Sequence, residues 1–441
     1  MSTQTSPRIA FTTLGCKVNQ SETDLLARQF AAAGYDCVSF EENADVYVVN
    51  TCTVTHVADK KSRQMLSQAR RANPEALVVA TGCYASIVGH QLAGDRTLVI
   101  RNRDKDHVVE LVGGSLGRAI ADTPTWTDLE KCLTISGGQE RARPMVKAQD
   151  GCDSHCTYCI IPRARGRSRS VPVDDVVLRV QALVDEGHSE VVITGVDLGS
   201  YGQGDSGLPD LGGLLQEVLD RTSVQRLRVS SVEPGDFDAA WLSLWQNPRL
   251  CRHLHIPLQS GSLTVLERME RSYTPEQFAG MVAQCRSSIP GLTVTTDVIT
   301  GFPGETNQEF GDGLQFIHAL HFDGMHVFKY SRRSGTRAAH LPDQVPEPVK
   351  AERSRVLRQE ALAGVNRLLA RHEGVTATIA WESDDGGAWR GLSDTNVRVY
   401  GSAEITRQSG LGLCKRVLTS PFRDGLWSEP QGADIMLVPV S

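Results

Sequence analysis

Three cysteines within eight residues constrain this chain more than any other feature of its sequence. Cys152, Cys156 and Cys159 form a C-x₃-C-x₂-C array just after a short strand-like stretch, Met145–Gln149. A loop this tight can bring three thiolates to one face of an iron–sulfur cluster. Three ligands leave one iron open, as a reactive metal site requires. A structural zinc site is the alternative, and it needs a fourth Cys or His ligand close by. The nearby candidate is His155, which lies between two of the cysteines.

The composition of the chain agrees with a metal-binding role for clustered cysteines. The 441 residues include eleven cysteines and carry a formal net charge of −6. The N-terminal segment lacks the pattern of a secretion signal, and no run of about 18 apolar residues predicts a membrane span. We therefore expect a cytoplasmic protein that is not associated with a membrane. In a reducing compartment disulfides are rare, and clustered cysteines more often bind metal or take part in catalysis. The net charge gives no global argument for nucleic acid, so any polyanion has to meet a local basic patch.

The cysteine array, with Tyr158 directly before the third cysteine, resembles the signature of the radical S-adenosylmethionine superfamily. The resemblance implies a [4Fe–4S] cluster whose open iron binds the amino and carboxylate groups of S-adenosylmethionine. One electron from the cluster then cleaves the sulfonium, giving methionine and a 5′-deoxyadenosyl radical. The cofactor carries this chemistry, whereas the protein binds and orients the cofactor and excludes side reactions.

Downstream of the array, short apolar runs alternate with helical patterns. The predicted strands are Met145–Gln149, Glu190–Thr194, Arg226–Ser230, His253–Ile256, Thr293–Ile299 and Met325–Phe328. The predicted helices between them include Asp174–Glu186, Leu211–Asp220 and Pro275–Ser287. Such alternation predicts parallel strands with right-handed crossovers. Six units suit the partial (β/α)₆ barrel of the superfamily, whose reactive groups lie at the carboxyl ends of the strands.

Three turns at these strand ends resemble cofactor-contacting segments of the superfamily. Val192–Gly202 resembles the turn that receives the methionyl amino group, Val229–Pro234 the ribose-contacting stretch, and Asp297–Thr306 the glycine turn near the adenine. The alternative is that these are ordinary turns after strands. From the resemblance we expect S-adenosylmethionine to contact Tyr158, Gly195, Ser231, Glu233 and Gly301. No catalytic residue is assigned beyond the cluster ligands.

A second set of cysteines ends three similar apolar runs near the N-terminus. The runs Ile9–Cys16, Asp45–Cys52 and Ala76–Cys83 are rich in β-branched residues, and helical patterns separate them. If these runs are parallel strands of one α/β sheet, all three cysteines emerge at the same edge, where open α/β sheets bind ligands. The alternative is three buried cysteines that behave as small hydrophobes. Their common position favours a second metal site. The other five cysteines are predicted to be core or incidental residues: Cys37, Cys132, Cys251, Cys285 and Cys414.

Longer segments resemble one family within the superfamily, the methylthiotransferases, over nearly the whole chain. The segments are TLGCKVNQSETD (Thr13–Asp24), VVNTCTVT (Val48–Thr55), TGCYA (Thr81–Ala85), the cysteine block Gly151–Ser170, and His253–Thr274. The form LGCKVNQ with NTCTVT is similar to the branch that modifies N6-threonylcarbamoyladenosine beside the anticodon in tRNA. The branch that acts on isopentenyladenosine usually shows GCQMN at this point, and the branch that acts on an aspartate of ribosomal protein S12 shows GCPKN.

The resemblance implies two [4Fe–4S] clusters, one on each cysteine set, and S-adenosylmethionine as cofactor. Cys16, Cys52 and Cys83 would hold an auxiliary cluster that carries the sulfur to be inserted. One S-adenosylmethionine methylates that sulfur, and a second yields the radical that removes hydrogen from C2 of adenine. The expected partners are the anticodon stem-loop of a tRNA, an electron donor such as flavodoxin or ferredoxin, and a sulfur source. The target base has to be splayed out of its loop.

Four arginines beside the cluster loop are the predicted RNA contacts: Arg163, Arg165, Arg167 and Arg169. Their density favours phosphate or carboxylate contacts. The alternatives are a solvated or salt-bridged strand, or contacts with the carboxylate of S-adenosylmethionine.

A helical pattern, Pro348–His372, precedes the short predicted strands Thr376–Trp381, Asn396–Tyr400, Cys414–Leu418 and Ile435–Pro439. They predict a small C-terminal β-barrel similar to the TRAM-like RNA-binding domain of the family. Acidic residues slightly outnumber basic ones there, so the module either grips RNA through a local face or acts as a lid.

The predicted fold is therefore α/β with three domains. Residues 1–135 form an open Rossmann- or flavodoxin-like sheet with the auxiliary cluster, residues 136–370 the radical S-adenosylmethionine barrel, and residues 371–441 the β-barrel. Three other functions stay open: a methylthiotransferase of isopentenyladenosine tRNA, a methylthiotransferase of the S12 aspartate, and a non-catalytic iron–sulfur RNA-binding protein.

Overall fold

A parallel five-stranded sheet forms the N-terminal part of the chain. The computed structural model describes residues 6–118, 142–205, 207–402 and 412–430. The strands are Arg8–Thr13 (β1), Asp36–Val38 (β2), Val46–Thr51 (β3), Leu77–Thr81 (β4) and Thr97–Val99 (β5), in the order β2-β1-β3-β4-β5. The helices are Lys17–Ala32 (α1), His56–Ala72 (α2), Gly82–Leu92 (α3) and Val108–Ser115 (α4), with a 3₁₀ turn at Asn102–His107.

The central strand β3 has apolar side chains on both faces. Val46 and Val48 pack into one cluster with Phe30, whereas Tyr47 and Val49 pack into another with Leu66. A parallel strand buried on both sides reads as a continuous apolar run, which is why VYVVNT does not alternate with polar residues. The predicted open α/β sheet is confirmed.

Six parallel strands form an open arc in the middle of the chain. They are Met145–Lys147 (β6), Glu190–Thr194 (β9), Arg226–Val229 (β10), His253–His255 (β11), Thr293–Thr300 (β12) and Gly324–Lys329 (β13). Their ladders give β10-β9-β6 and β11-β12-β13, and parallel bridges Leu227–Leu250 and Ser231–His255 join β10 to β11. The predicted partial barrel is thus confirmed, with β6 and β13 as its two edges.

Helices and short turns connect the strands of the arc. The helices are Ile161–Arg165 (α5), Val173–Asp185 (α6), Leu211–Arg221 (α7), Leu263–Met269 (α8), Pro275–Ser288 (α9), Asn307–Leu320 (α10) and Glu347–Ala370 (α11). The 3₁₀ turns are Leu198–Ser200, Pro234–Asp236, Ala239–Gln246 and Arg337–His340. Helix α1 of the N-terminal sheet packs along the edge strand β6, where Oγ of Ser21 donates to the carbonyl of Met145 at 2.8 Å. The two regions are therefore in direct contact.

The predicted strand Met145–Gln149 is divided in the structure. Strand β6 ends at Lys147, and Gln149–Asp150 (β7) pairs antiparallel with Arg169–Ser170 (β8). The amide of Ala148 still donates to Thr194 of β9, but its carbonyl accepts from Val171 instead. This two-stranded hairpin closes the base of the cysteine loop.

The last described segments form a closed five-stranded barrel. Its strands are Thr376–Asp384 (β14), Ala388–Ser393 (β15), Arg398–Ser402 (β16), Leu413–Phe422 (β17) and Gly425–Pro430 (β18), in the order β14-β15-β16-β18-β17. Strand β16 starts later than predicted because Asn396 has φ +61° and turns the chain. Strands β15 and β18 were not predicted, and the predicted strand Ile435–Pro439 lies outside the described residues.

This barrel contacts the amino ends of the arc strands. The guanidinium of Arg226 donates to the carbonyls of Thr378 and Leu392, and that of Arg228 donates to Ser393. The cysteine loop lies at the opposite, carboxyl ends of the strands. The described strands of this module therefore do not cover the cysteine loop. No helix in the described ranges is both long and apolar enough to cross a membrane.

Candidate functional site

The three cysteines of the loop lie together at the carboxyl end of the arc. Cys152, Cys156 and Cys159 are partly buried, and all ten described cysteines are free thiols. Burial raises the pKa of each of the three thiols, that of Cys159 to about 12. The free thiols are therefore neutral at physiological pH, and a bound metal cluster would stabilise their thiolates.

The backbone of the loop is fixed on both sides. The amide of Cys152 donates to the carbonyl of Gly166 at 3.2 Å, and that of Thr157 donates to Met269 at 3.0 Å. Gly151 has φ +75°, and a methyl group placed on it would lie 2.0 Å from the carbonyl oxygen of Arg167. Only glycine fits here, because the loop crosses the returning chain in direct contact.

Charged side chains contact two of the loop thiols. Oδ2 of Asp197 accepts from Sγ of Cys152 at 3.2 Å, and Nη1 of Arg271 donates to Sγ of Cys156 at 3.0 Å. Arg271 also forms an ion pair with Glu233. Burial, and after it the charges of Asp236 and Glu233, raise the pKa of Asp197 to about 7.

The buried polar atoms without a hydrogen-bond partner among the described residues include Oδ1 of Asp197 and Oγ of Ser230, which lie at this end of the arc. Both residues follow inner strands of the arc, β9 and β10. Buried polar groups are nearly always paired, so such atoms at a strand end indicate a ligand that completes their bonding. Sequence analysis missed Asp197 and Arg271. Asp197 lies in the segment VITGVDLGSYG, two residues after Gly195, and Arg271 lies in the family-like segment His253–Thr274.

The predicted cofactor contacts occupy different parts of this end of the arc. Gly195 is buried against Gln149, whose Oε1 accepts from the amide of Asp197 at 2.8 Å. Ser231 follows β10 and pairs with His255 of β11. Glu233 reaches the loop through Arg271.

Tyr158 and Gly301 make structural contacts. The ring of Tyr158 packs edge-on against Phe302, with centroids 6.5 Å apart. Gly301 has φ +72° and lies against the side chain of Lys350 in α11, where a methyl group would be 2.4 Å from Cγ. Its amide donates to Glu305 at 2.6 Å. The described contacts of Gly301 are thus those of a tight turn.

The second cysteine set converges at the carboxyl edge of the N-terminal sheet. Cys16 follows β1 and is exposed, whereas Cys52 and Cys83 follow β3 and β4 and are 4% and 3% exposed. A methyl group placed on Gly15 would lie 2.7 Å from Sγ of Cys52. Burial raises the pKa of Cys52 to about 11, and its thiol lies within electrostatic range of both Cys16 and Cys83.

Tight backbone packing brings these strand ends together. Residues Thr51 and Gly82 form a parallel bridge, and Gly82 has φ +92° with the carbonyl of Thr51 2.3 Å from the position of a methyl group. Nδ2 of Asn19 donates to the carbonyls of Leu14 and Thr51 at 2.7 and 3.1 Å. The structure therefore brings together three cysteines that lie far apart in the sequence.

One asparagine links the two cysteine sets. Nδ2 of Asn102 lies 3.7 Å from Sγ of Cys83 and donates to the carbonyl of Ala164 at 2.9 Å. Ala164 belongs to α5, the helix that starts two residues after Cys159. Asn102 therefore connects Cys83 to the helix that follows the loop cysteines.

The remaining described cysteines are core residues, as predicted. Cys37, Cys251, Cys285 and Cys414 are all buried. Cys132 lies outside the described residues.

The prediction that Arg165 contacts RNA needs correction. Its side chain is 1% exposed, and Nη1 pairs with Glu22 at 2.9 Å and with Asp150 at 2.7 Å. The alternation that exposes every second residue of a strand does not hold here, because Ile161–Arg165 is a helix that turns Arg165 inward.

The other three arginines are exposed. Arg163 lies over the backbone of Gly335, Arg167 is 90% exposed beside Asp153, and Arg169 lies 3.6 Å from Asp150. They border the cysteine loop and are accessible to a large ligand.

Lys17, the residue after Cys16, faces the interior of the arc. Burial lowers its pKa to about 8, the positive charges of Arg228 and Arg143 add to this, and the charge of Asp297 opposes it. Arg228 lies on β10 and Asp297 on β12, so the ammonium group lies within electrostatic range of both strands. Its side chain is nevertheless exposed to solvent.

Profiles of known protein families match the two regions of the chain that carry the two cysteine sets. A family profile described as "Uncharacterized protein family UPF0004" matches residues 8–100, and the Radical SAM superfamily profile matches residues 146–317. Among solved structures, the radical S-adenosylmethionine methyltransferase TsrM from Kitasatospora setae, with cobalamin and a [4Fe–4S] cluster bound, has a TM-score of 0.54 at 17% identity. That alignment covers 76% of this chain and 77% of TsrM, and it supports the fold.

Several curated relatives align over most of the chain. The threonylcarbamoyladenosine tRNA methylthiotransferase MtaB of Bacillus subtilis is 42% identical, covering 78% of each chain. MtaB of Aquifex aeolicus is 39% identical, covering 80% of this chain and 87% of its own. The tRNA-2-methylthio-N(6)-dimethylallyladenosine synthase of Pelotomaculum thermopropionicum is 32% identical, covering 78% and 79%. This chain belongs to the radical S-adenosylmethionine tRNA methylthiotransferase family.

Proposed function

We propose that this protein adds sulfur and a methyl group at C2 of N6-threonylcarbamoyladenosine, next to the anticodon of a tRNA. The observation that carries the proposal is the convergence of Cys16, Cys52 and Cys83 beside the loop of a radical S-adenosylmethionine fold. A single cluster suffices for radical formation, so a second three-cysteine set supports sulfur insertion. The names of the MtaB relatives support the threonylcarbamoyl substrate over the dimethylallyl one.

Each cysteine set fits a [4Fe–4S] cluster. Each set consists of three free thiols, and three thiolates on a cluster of four irons would leave one iron for a further ligand. We assign Cys152, Cys156 and Cys159 to the cluster that binds S-adenosylmethionine, and Cys16, Cys52 and Cys83 to the auxiliary cluster. When bound, these groups supply the radical chemistry, the sulfur and the methyl group.

The side chains around the first set bind and orient S-adenosylmethionine. Asp197, Glu233 and Asp236 concentrate negative charge beside Cys152, which suits a ligand that carries a positive amino group and a sulfonium. In this proposal the unpartnered Oδ1 of Asp197 accepts a hydrogen bond from that amino group, and Ser230 and Ser231 bind the ribose hydroxyls. Gly195 keeps the turn after β9 close enough for these contacts.

Arg271 is a positioning residue. It holds Glu233 at the rim and donates to Cys156, so that the thiolate retains a charged partner. Gly301 and Tyr158 shape the adenine end, through the turn after β12 and the contact with Phe302.

The tRNA binds across the exposed arginines. Arg163, Arg167 and Arg169 border the cysteine loop and contact phosphates of the anticodon stem-loop, while the target base leaves its stack to reach the site. An electron donor such as flavodoxin or ferredoxin and a source of sulfur complete the reaction's requirements.

The domain limits follow this division of labour. Residues 1–135 carry the auxiliary site, 136–370 the barrel, and 371–441 the TRAM-like β-barrel. The boundary near residue 135 lies outside the described residues. The β-barrel contacts the amino end of β10, and we assign it as an additional RNA-binding face, away from the cysteine loop.

The test is to incubate the anaerobically reconstituted protein with S-adenosylmethionine, sulfide, a reductant and tRNA that carries threonylcarbamoyladenosine. Nucleoside mass spectrometry is expected to show the 2-methylthio product with the native protein and none with Cys156→Ala. Product only on dimethylallyladenosine tRNA, or only on the S12 aspartate, would assign the protein to another branch. Absence of any product, with S-adenosylmethionine uncleaved, would favour a non-catalytic RNA-binding protein.

A further inference from the structure

The inner face of the barrel carries a polar group that neither cysteine set uses. His255 on β11, Asp297 on β12 and His326 on β13 have donor and acceptor atoms that all lie within 4.8 Å of one another. Nε2 of His255 is 3.2 Å from Oδ1 of Asp297, and the two imidazole rings have centroids 5.7 Å apart. We call these three residues the inner triad.

The triad is polar but incompletely paired. Nδ1 of His255 is 2.9 Å from Oγ1 of Thr295, which fixes its ring. Oδ1 of Asp297 is buried and lacks a partner at hydrogen-bond geometry, so the ion pair with His255 leaves an acceptor position open. Buried polar atoms without partners are costly, and a ligand that pairs with them gains affinity and specificity.

The charge of Lys17 makes this space favourable for an anion. Asp297 is already paired with His255, and Arg228 with Glu190 at 2.7 Å. Within the described ranges no carboxylate lies within ion-pair distance of Lys17, although Asp297 and His326 are both within electrostatic range of it. A divalent cation would meet this ammonium group, whereas a carboxylate would neutralise it.

An exposed aromatic side chain lies on the same strand face, nearer the cysteine loops. Phe328 is two residues beyond His326 on β13 and is 44% exposed. The side chains of Met325 and Val327 pack into the core between strands and helices, so His326 and Phe328 point to the inner face. Their rings have centroids 6.5 Å apart. An aromatic ring in this position suits a stacked or edge-on nucleobase.

We propose that Lys17 and His326 bind the carboxylate of the threonyl group on the substrate base. Asp297 accepts a hydrogen bond from the threonyl hydroxyl, and Phe328 contacts the base. The inference rests on the proposed function and names the part of the site that selects the substrate. The dimethylallyl group named for another relative is apolar and would leave the ammonium group of Lys17 without a partner. Two adjacent residues would thus serve the two parts of the site, Cys16 as a ligand of the auxiliary cluster and Lys17 in substrate selection.

The test compares two anticodon stem-loop RNAs. One carries threonylcarbamoyladenosine, and the other carries its threoninamide derivative, which has the same shape without the negative charge. The native protein is expected to convert the first with a kcat/KM about 10- to 100-fold higher, the range for a lost charge-assisted hydrogen bond. Equal kcat/KM values would overturn the inference and leave the proposed function intact. No product from the threonylcarbamoyl RNA would overturn the proposed function itself.

Two variants locate the effect. Lys17→Met and His326→Leu are expected to reduce the ratio of the two kcat/KM values several-fold towards one, mainly by raising KM for the charged RNA. Lys60→Met, on the exposed side of α2, is the matched control and should leave the ratio unchanged. Iron content is measured in each protein, because Lys17 adjoins Cys16. If Lys17→Met loses iron, His326→Leu decides: an unchanged ratio with full iron content would contradict the inference.

Discussion

Arg165 and Glu22 form a buried ion pair in which Nη1 and Oε1 are 2.9 Å apart. Arg165 ends α5, the helix after the loop cysteines, and Glu22 lies in α1, the helix after Cys16. Lys105 and Lys147 also pair with Glu22. Although burial opposes it, the charges of Lys105, Lys147 and Arg165 hold the pKa of Glu22 well below its usual value. The pair thus connects the segments that carry the two cysteine sets.

Removing Arg165 should destabilise the protein far more than removing its exposed neighbour. Arg165→Met leaves Glu22 and Asp150 with fewer partners in the interior, and a broken buried pair costs about 3–5 kcal/mol. Arg167→Met, at a 90% exposed side chain, should change the free energy of unfolding by less than about 1 kcal/mol. Urea unfolding followed by circular dichroism measures both. Equal midpoints for the two variants would contradict a structural role for Arg165.

Gly15→Ala should disrupt the auxiliary site. Gly15 has φ +97°, and its new methyl group would lie 2.7 Å from Sγ of Cys52, so the strand ends must separate. We expect bound iron to fall from about eight towards about four per chain, the content of one [4Fe–4S] cluster. Gly34→Ala is the matched control, since Gly34 has φ +83° but open space around it. Equal iron in both variants would mean that the contact with Cys52 is unimportant for the cluster.

Glu190 should make stability depend on acidic pH. The charges of Arg226, Arg228 and Arg143 outweigh burial, which acts in the opposite direction, and lower the pKa of Glu190 from 4.5 to about 2. A lowered pKa in the folded state means that the stabilisation is complete above about pH 4.5 and is lost as pH falls towards 2. The shift corresponds to about 3 kcal/mol.

Glu190→Gln removes this titration, so its free energy of unfolding should be lower at pH 7 and flatter between about pH 5 and 3, a range that brackets the ordinary glutamate pKa. Urea unfolding at several pH values checks the slope. Glu217→Gln, in a half-exposed pair with Arg221, should keep the slope of the native protein. A native slope in Glu190→Gln would show that other groups carry the acid sensitivity.

The exposed arginines should contribute to tRNA affinity through phosphates. Arg167→Ala and Arg169→Ala should each weaken binding for all tRNA sequences alike and reduce the salt dependence of log K by about one phosphate contact. Arg221→Ala, at an exposed position on α7, is the comparison. Filter binding at several salt concentrations measures the tRNA affinity and its salt dependence for the rim variants and for Arg221→Ala. If Arg221→Ala has the same effect as Arg167→Ala, the rim arginines do not form the RNA site.

The strands of the arc could be predicted closely because buried parallel strands produce continuous apolar runs. The bounds of Glu190–Thr194 agree residue by residue, and those of His253–Ile256 differ by one. The division of Met145–Gln149 could not be seen, because the turn depends on pairing with Arg169–Ser170, about twenty residues further along the chain. In the C-terminal barrel, AWRGLS and GLWSEP contain no β-branched residue, and their pairing partners define them as strands.

The cysteine sets followed from local sequence, whereas their charged surroundings did not. Because parallel strands of one sheet end at the same edge, the sequence pattern alone predicts that Cys16, Cys52 and Cys83 lie together. Arg165 was predicted at the surface, because alternate arginines in sequence do not reveal a short helix that turns one of them inward. Asp197 and Arg271 approach the thiols only after folding, from positions 45 and 115 residues away from Cys152 and Cys156.

The count of iron and sulfide in the anaerobically reconstituted protein tests the central claim most directly. The native protein should contain about eight irons per chain, and a triple Cys16/Cys52/Cys83→Ala variant about four, as two cysteine-bound [4Fe–4S] clusters require. The variant should still cleave S-adenosylmethionine through the loop cluster. About four irons in both proteins would mean that Cys16, Cys52 and Cys83 bind no cluster and would contradict the proposed sulfur insertion.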